Sequence, residues 1–283
     1  MLMRIKSLLF GLVIAIFTHN IAYASTPITS DIRLYSLNCG IINVHDGEDF
    51  SDIGYYKHRP LVLSDPCYLI KHDNKWMLWD LGLGDKYLGH TAENKKFGVT
   101  LSVSVSLVDQ LKQLGLAPND IEYVAISHDH FDHTGNIGLF PQATLLIQKL
   151  EYISIQQHPA PIGMSRDLYH SIRKMQKILI NGNYDVFGDG SVTTFRTPGH
   201  TPGHQSLKIK LPHSGVIILS GDAYHTRDAY KHKLVPVYNA SRADTLASME
   251  RIDGIVDVTN GRLVIQHDAN DFKDMPKFPK YLN

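Results

Sequence analysis

The sequence predicts an α/β sandwich that forms one domain. The chain has 283 residues, a length that can bury a sizeable core within one large domain. Apolar strand-like runs and helical patterns follow one another in mixed order, as in sheets that pack against helices. No glycine-rich phosphate loop, tandem repeat or low-complexity tract interrupts them.

The composition excludes several classes of protein. Hydrophobic residues at 43% and charged residues at 20% are typical of a globular chain rather than a disordered one. The 28 basic and 28 acidic residues balance, which argues against a nucleic-acid binder that neutralises phosphates. Two cysteines are too few for a Cys₄ zinc site. The 16 histidines are unusual, and imidazole is both a common metal ligand and a proton carrier near neutral pH.

The first 24 residues have the pattern of a signal peptide. Arg4 and Lys6 precede an apolar run, Leu8 to Phe17, that is short for a membrane span. Ala22-Tyr23-Ala24 has the small-x-small pattern of a cleavage site. We therefore expect residues 25–283 to form an exported domain, periplasmic or secreted, without stable membrane association. An uncleaved N-terminal anchor is the alternative.

The elements of the mature chain follow from local patterns. Apolar runs bounded by turn residues predict strands, and Val103, Leu107, Leu111 and Leu114 recur at helical spacing before Gly115. The polar, aromatic segment His45 to Arg59 predicts a loop. The region between Gln148 and Ile180 is less regular and partly helical. The predicted strands are 32–37, 67–70, 76–81, 121–127, 143–148, 187–197, 206–211, 216–220 and 263–266, and a second helix is predicted at 244–252.

Cys39 and Cys67 lie in or beside two apolar strand-like runs. Export would allow a disulfide between them. Buried free cysteines are also common in such runs, and spacing alone cannot show that the two Cα atoms come within bonding range. The sequence leaves both interpretations open.

A histidine-rich motif directly follows the predicted strand 121–127. It reads Ser127-His128-Asp129-His130-Phe131-Asp132-His133. His128 and His130 are two residues apart, so in an extended segment they point the same way. Three histidines and an aspartate exceed the local need of one tetrahedral zinc, which favours two adjacent metals.

Three more groups of potential ligands stand at predicted strand ends. A doubled Pro-Gly-His, residues 198–204, offers His200 or His204, and spacing alone does not decide between them. Asp222 follows the strand 216–220, and His267 follows the strand 263–266. Together with the first motif they predict a dinuclear, zinc-type site, whereas a His-rich storage protein would not need four separate strand ends.

These motifs resemble the metallo-β-lactamase superfamily, and within it the N-acyl-homoserine lactonase group. The resemblance covers nearly the whole mature chain. It is carried by LYSLNCG near residue 34, PCYLI near 66, LWDLGLGD from 78, SHDHFDHTGN from 127, TPGHTPGHQSL from 197 and SGDAYHT from 220. It implies an αβ/βα sandwich, two mixed sheets flanked by helices, with metals at the edge between the sheets.

The resemblance also implies the ligands and the reaction. One metal would be held by His128, His130 and His204, the other by Asp132, His133 and His267, and Asp222 would bridge both. His200 would be structural. Two divalent ions, most simply Zn, would generate a bridging hydroxide that opens the ring of an N-acyl-homoserine lactone, while Asp132 passes a proton to the leaving alkoxide. The partner is thus a small-molecule lactone, and a homodimer is allowed for.

The chain departs from the lactonase pattern at three positions. A Tyr commonly stands three residues after the bridging Asp and contacts the lactone; here the position is His225, with Tyr224 beside it. We therefore expect His225 to replace the Tyr as a hydrogen-bond donor and Tyr224 to contact substrate. Gln266 stands where Gly is usual, and Asp129 where an apolar residue is common. Candidate pocket residues are Phe50, Tyr55, Tyr56, Phe97, Tyr152 and Met164.

Other members of the superfamily fit less well. A β-lactamase has Cys or Ser where Asp222 stands, and a glyoxalase-II-type thioesterase needs a helical extension that 16 residues after His267 cannot supply. The serious alternative is another hydrolase of the fold, an esterase, arylesterase or phosphotriesterase.

Overall fold

Two β-sheets pack face to face, with helices on both outer faces. This architecture is that of a computed structural model, which describes residues 30–283. The predicted signal peptide, residues 1–24, therefore lies outside the described part of the chain. The α/β sandwich with two mixed sheets is confirmed. No helix within residues 30–283 has the length and apolar character needed to cross a membrane.

The first sheet has eight strands in the spatial order β4-β5-β1-β2-β3-β6-β7-β8. Strands β3, β6, β7 and β8 run parallel to one another, and the other pairs, including β2 with β3, are antiparallel. The strands are β1 Ile32–Val44, β2 Leu61–His72, β3 Lys75–Trp79, β4 Thr91–Asn94, β5 Val99–Ser102, β6 Tyr123–Ala125, β7 Thr144–Gln148 and β8 Lys177–Ile180.

The second sheet has five strands in the order β13-β12-β11-β10-β9. Only β12 and β13 pair in parallel. The strands are β9 Tyr184–Asp185, β10 Val192–Arg196, β11 Gln205–Leu211, β12 Gly215–Leu219 and β13 Arg262–Val264.

The helices are mostly short and lie outside the sheets. Ser106 and Ser241 are the N-caps of α1 and α6, since each side chain accepts a hydrogen bond from the backbone amide three residues later. The helices are α1 Leu107–Gln113, α2 Phe131–Thr134, α3 Lys149–Ser154, α4 Arg166–Lys174, α5 Arg227–His232, α6 Arg242–Thr259 and α7 Ala269–Lys273.

Three apolar layers hold the sandwich together. The central layer lies between the sheets, where Trp79 and Met77 of β3 meet Leu207 and Ile217 of the second sheet. A second layer packs α1 and α4 onto the outer face of the first sheet, and a third packs α6 onto the second. Because helices cover both sheets, their strands read as nearly continuous apolar runs.

The sequence pattern missed one hairpin and the second half of β1, each for a different physical reason. The hairpin β4–β5 begins with Thr-Ala-Glu-Asn, whose side chains are partly exposed because β4 is an edge strand. Strand β1 continues to Val44, past the predicted end at Leu37, because a bulge between Asn38 and Ile41 restores its pairing with β2.

Cys39 and Cys67 form a disulfide, with their Cα atoms 5.7 Å apart. The antiparallel register of β1 and β2 pairs Leu37 with Cys67, and Cys39, two residues further along β1 at the bulge, comes within bonding range of Cys67. The question that the sequence left open is therefore decided by strand register.

Candidate metal centre

Seven potential ligands converge at one edge of the sandwich. His128, His130, Asp132 and His133 follow β6 of the first sheet. The other three lie in loops after β10, β12 and β13 of the second sheet, whose carboxyl ends share this edge. Each sheet therefore contributes to the ligand cluster, which consists of His128, His130, Asp132, His133, His200, Asp222 and His267.

The first group of ligands consists of His128, His130, His200 and Asp222. One ligand atom from each lies within 4.8 Å of the others. The Nε2 atom of His200 is 3.1 Å from both His128 Nε2 and His130 Nδ1. Three imidazole nitrogens thus face one point.

The second group consists of Asp132, His133 and His267. The Nε2 atoms of His133 and His267 are 3.2 Å apart, and Asp132 Oδ2 lies 4.0 Å from the first and 3.8 Å from the second. The three ligand atoms again fit within 4.8 Å.

Asp222 lies between the two groups. Its Oδ2 is 3.4 Å from His200 Nε2, whereas its Oδ1 is 3.3 Å from His133 Nε2 and 3.1 Å from His267 Nε2. Oδ1 is buried and has no hydrogen-bond partner within residues 30–283. A buried carboxylate oxygen without a partner is costly, so this orphaned atom fits a bridging role between two cations.

Outer hydrogen bonds orient the imidazoles. His267 Nδ1 donates to the backbone carbonyl of Ser64, at 2.8 Å, and His133 Nδ1 lies 3.0 Å from Asp80 Oδ2. His200 Nδ1 lies 2.9 Å from Asn239 Oδ1. With the outer nitrogen occupied, the inner nitrogen of each ring is left for a metal.

The prediction that His204 is a ligand and His200 structural is wrong. His204 Nδ1 donates to the carbonyl of Thr197, and His204 Nε2 accepts from the backbone amide of Asp222, both at 2.8 Å. Both nitrogens are used, so His204 has none left for a metal. Gly221, at φ +53°, makes this contact possible, since a Cβ there would lie 2.6 Å from His204 Nε2.

The charges of the site separate into two zones. Burial lowers the pKa of His128, His130 and His200, that of His130 to about 4, which keeps these rings neutral. Burial also acts on His267, but the Asp222 carboxylate outweighs it and raises the pKa of His267 to about 9. A cation bound on the His267 side would therefore compete with a proton.

Glu151 of α3 braces the loops that carry the ligands. Its carboxylate accepts hydrogen bonds from the backbone amides of Asp129 and Gly203 and from the Thr201 hydroxyl, at 2.8–2.9 Å. Burial and the neighbouring Glu151 raise the pKa of Asp129. Asp129, which stands where related lactonases commonly have an apolar residue, is thus part of the contacts around Glu151, behind the ligand cluster.

His225 and Tyr224 occupy different environments. His225 Nε2 lies 3.1 Å from Asp222 Oδ2, in the wall of the site. The prediction that Tyr224 binds substrate is wrong, because its hydroxyl points away, towards the carbonyl of Met249 at 3.1 Å and Asp253 Oδ1 at 3.0 Å, either of which can accept its one hydrogen. Consecutive residues in extended backbone face opposite sides, so only one of the pair can face the metals.

A cavity of about 350 Å³ opens onto the ligand cluster. Of the predicted pocket residues, Phe50 and Phe97 line it. Tyr55 and Tyr56 do not line it; their rings meet edge to face in the apolar cluster behind Phe50, and Tyr152 and Met164 pack against the core of the first sheet. The apolar lining consists of Ile42, Val44, Phe50, Leu63, Phe97, Val99, Phe131 and Ile162.

Three residues of the site have no role in the predictions. Asp80 directly follows β3, and its place after an apolar strand was a signal that could have pointed to it. Tyr238 and Asn239 lie in the segment between α5 and α6, and no local pattern distinguishes them. Gln266 stands where related lactonases usually have Gly. Its Nε2 donates to the carbonyl of Pro66, and it is not a member of the ligand cluster.

Known proteins have sequences similar to this chain. The sequence model of the metallo-beta-lactamase superfamily matches residues 62–267. An N-acyl homoserine lactonase of Rhizobium radiobacter, AttM, is 34% identical over 269 residues, which cover 89% of this chain and 99% of that protein. An N-acyl homoserine lactonase of Bacillus thuringiensis is 28% identical over 225 residues, 76% of this chain and 86% of that one.

Solved structures agree with the sequence comparison. A quorum-quenching N-acyl homoserine lactone hydrolase superposes with a TM-score of 0.77 at 25% identity, over 88% of this chain and 98% of that one. An N-acyl homoserine lactone hydrolase with N-hexanoyl-L-homoserine bound at its catalytic metal center gives a TM-score of 0.76 over the same shares. The chain belongs to the metallo-β-lactamase superfamily.

Proposed function

We propose that the protein is a metal-dependent hydrolase that opens the lactone ring of N-acyl-homoserine lactones. The observation that carries this proposal is the seven-residue ligand cluster at the mouth of an apolar cavity. Support comes from the full-length similarity to proteins named N-acyl homoserine lactonase. A polar reaction centre beside an apolar pocket suits a substrate with an ester ring at one end and a fatty acyl chain at the other.

Two divalent cations, when bound by the two groups of ligands, acidify water and polarise an ester carbonyl. The chain's own residues orient the reaction. Asp222 holds the two groups in register through its two oxygens, and the cavity wall excludes bulk water from the ester.

Asp132 is the residue that moves a proton. Its carboxylate lies at the cavity surface, where its side chain is 13% exposed. It takes a proton from the attacking water and returns it to the ring oxygen as the bond between the acyl carbon and that oxygen breaks. The product is an open N-acyl-homoserine. Its carboxylic acid is ionised at neutral pH, so each turnover releases one proton.

A substrate panel tests this function. Protein loaded with metal is offered an N-acyl-homoserine lactone, an aryl ester, a phosphotriester and a β-lactam, with proton release followed by a pH indicator and products by mass spectrometry. We expect the lactone to gain one water and to react fastest, and Asp222→Asn to abolish the reaction. Efficient turnover of the ester or phosphotriester without lactone opening would assign a different hydrolase activity to the site.

Zinc is the metal that we propose for both groups. Five imidazoles with two carboxylates form a nitrogen-rich set of borderline ligands, which favours zinc over the oxygen-preferring magnesium or calcium. Elemental analysis of protein purified without added metal measures this. Two equivalents of iron or manganese in place of zinc would contradict the choice.

We also propose that the protein acts in the periplasm or outside the cell, after cleavage behind Ala24. The Cys39–Cys67 disulfide supports this, because structural disulfides persist mainly in oxidising compartments. N-terminal sequencing of the native protein and cell fractionation test it, and an intact Met1 on a cytoplasmic product would contradict it. A homodimer and the lack of stable membrane association stay predictions, which sedimentation and the same fractionation test.

A further inference from the structure

Tyr238 brings a phenol hydroxyl to the ligand cluster from a distant part of the chain. The residue lines the cavity together with Asp132, His200 and Asp222. Its ring centroid is 5.8 Å from that of His200, and its Oη is 3.3 Å from His225 Nε2. A polar group thus stands in the cavity wall beside the ligand cluster, and the activity proposed above gives it no role.

The segment that carries Tyr238 is fastened on both sides. The Val237 amide donates to the carbonyl of Asp49, on the loop that forms one side of the cavity. The Ala240 amide donates to the carbonyl of His200, at 3.1 Å, on the loop that carries a metal ligand. The phenol position is therefore set by the backbone before any substrate binds.

Phe50 packs against the rings of His225 and Tyr238. Its ring meets His225 and Tyr238 edge-on, with centroid distances of 5.2 and 5.6 Å. Both rings are held in place by this aromatic contact, so the hydroxyl and the imidazole keep their relative orientation. Such preorganisation is what a hydrogen-bond donor needs to favour a developing charge.

His225 and Tyr238 differ in where their polar hydrogens can point. The Asp222 carboxylate only accepts hydrogen bonds, so His225 Nε2, at 3.1 Å from Oδ2, carries the hydrogen of that contact. The same nitrogen then has no lone pair to accept from Tyr238. The structure gives the phenol hydroxyl no other hydrogen-bond partner within residues 30–283, so its hydrogen is free to point into the cavity.

We infer that Tyr238 is a catalytic residue, whose hydroxyl donates a hydrogen bond to the carbonyl oxygen of the lactone while His225 positions Asp222. The inference rests on the proposed lactonase function. The carbonyl oxygen gains negative charge when the ring ester is attacked, and a donor already in place stabilises that charge. The expected role of His225 as the donor to substrate is thereby assigned to Tyr238 instead.

The test compares Tyr238→Phe with Tyr230→Phe. The first removes only the hydroxyl at the cavity; the second removes a hydroxyl from a ring that packs on Tyr224, away from the cluster. We expect Tyr238→Phe to keep two metals per chain and the wild-type melting temperature, and to lower kcat/KM for the lactone by roughly 10- to 100-fold. Tyr230→Phe should match the wild type.

A binding measurement adds a readout that does not depend on turnover. The open N-acyl-homoserine has a carboxylate in place of the ring ester, so its affinity for Tyr238→Phe should fall roughly tenfold by calorimetry. Wild-type affinity and kcat/KM in Tyr238→Phe would overturn the inference. Loss of metal in that variant would also overturn it, because the hydroxyl would then support the ligands rather than the substrate. If the wild type opened no lactone at all, the proposed function itself would fail.

Discussion

The two histidines of the doubled Pro-Gly-His sequence differ in how their nitrogens are used. His200 bonds outward to Asn239 and leaves Nε2 among three other ligand atoms. His204 uses one nitrogen to hold the carbonyl of Thr197 and the other to hold the amide of Asp222. One histidine thus belongs to the ligand cluster, and the other positions the backbone of Asp222.

We expect His200→Gln to reduce metal binding and His204→Gln to reduce stability. His200→Gln removes one of four ligands in the first group, so it should lower the metal content towards one per chain. His204→Gln should retain both metals but lower the free energy of unfolding by about 1–3 kcal/mol, because buried partners lose a hydrogen bond. Elemental analysis and urea unfolding measure the two effects. The reverse pattern, with metal lost only in His204→Gln, would restore the original assignment.

Asp189, which lies away from the ligand cluster, makes the stability of the fold depend on pH. Partial burial raises its pKa, but hydrogen bonds from Ser191 and the contact with His72 outweigh this and lower the pKa to about 2. A carboxyl whose pKa is depressed on folding adds stability above its unfolded pKa of about 4, and this stability is lost as the pH falls towards 2.

The destabilisation caused by Asp189→Asn should therefore be present at pH 6 and shrink between pH 4 and pH 2. Urea unfolding of both proteins across this range measures it. Asp73→Asn is a suitable control, because Asp73 lies beside the same His72 and is more exposed. A difference that is constant down to pH 2 would mean that charge on Asp189 contributes nothing.

At the scale of elements, the disulfide ties the two longest strands together. Cys39 and Cys67 enclose a loop with a sequence separation of 28, which includes the segment that lines the cavity. Gly82 packs directly on Cys39, since a Cβ at Gly82 would lie 2.3 Å from Cys39 Cβ. The cross-link therefore also supports the segment directly after β3, in which Asp80 lies 3.0 Å from His133 Nδ1.

Removing this cross-link should lower stability by about 2–4 kcal/mol, since the loop is no longer closed in the unfolded chain. The variant Cys39→Ser/Cys67→Ser, compared with the wild type by chemical unfolding in the absence of reductant, measures the effect. In reducing buffer the two proteins should become alike. Equal stability of both proteins without reductant would indicate that strand pairing alone holds β1 and β2.

At the scale of the whole molecule, metals would join the two sheets. Both ligand groups draw on both sheets: His128, His130, Asp132 and His133 come from the first, and the other ligands come from the second. Bound cations therefore stabilise the packing of sheet on sheet as well as supply chemistry.

We expect chelation to lower the melting temperature of the protein. A ligand present at 1,000 times its dissociation constant adds about 4 kcal/mol to the folded state, and this contribution disappears with the metal. Calorimetry with and without a chelator measures it, and Asp222→Asn should respond much less because it binds metal poorly. An unchanged melting temperature after verified metal removal would show that the apolar layers alone set the stability.

Local patterns in the sequence were sufficient for the sandwich class, the strand ends that carry ligands, and six of the seven members of the ligand cluster. These features depend on periodicity, turn residues and ligand chemistry within a few positions of each other. They follow from His128 to His133 as a continuous motif, and from Asp222 and His267 directly after apolar strands.

The choice between His200 and His204, the disulfide and the position of Tyr238 required the folded chain. Gly199, at φ +135°, packs against Thr245 of α6, and the amides of Ala240 and Ser241 hold the carbonyls of His200 and Gly199. These contacts turn His200 towards the other members of the ligand cluster and place Tyr238 in the wall of the same cavity. They join residues about 40 positions apart, and two identical Pro-Gly-His triplets contain no local signal of which one such packing will select.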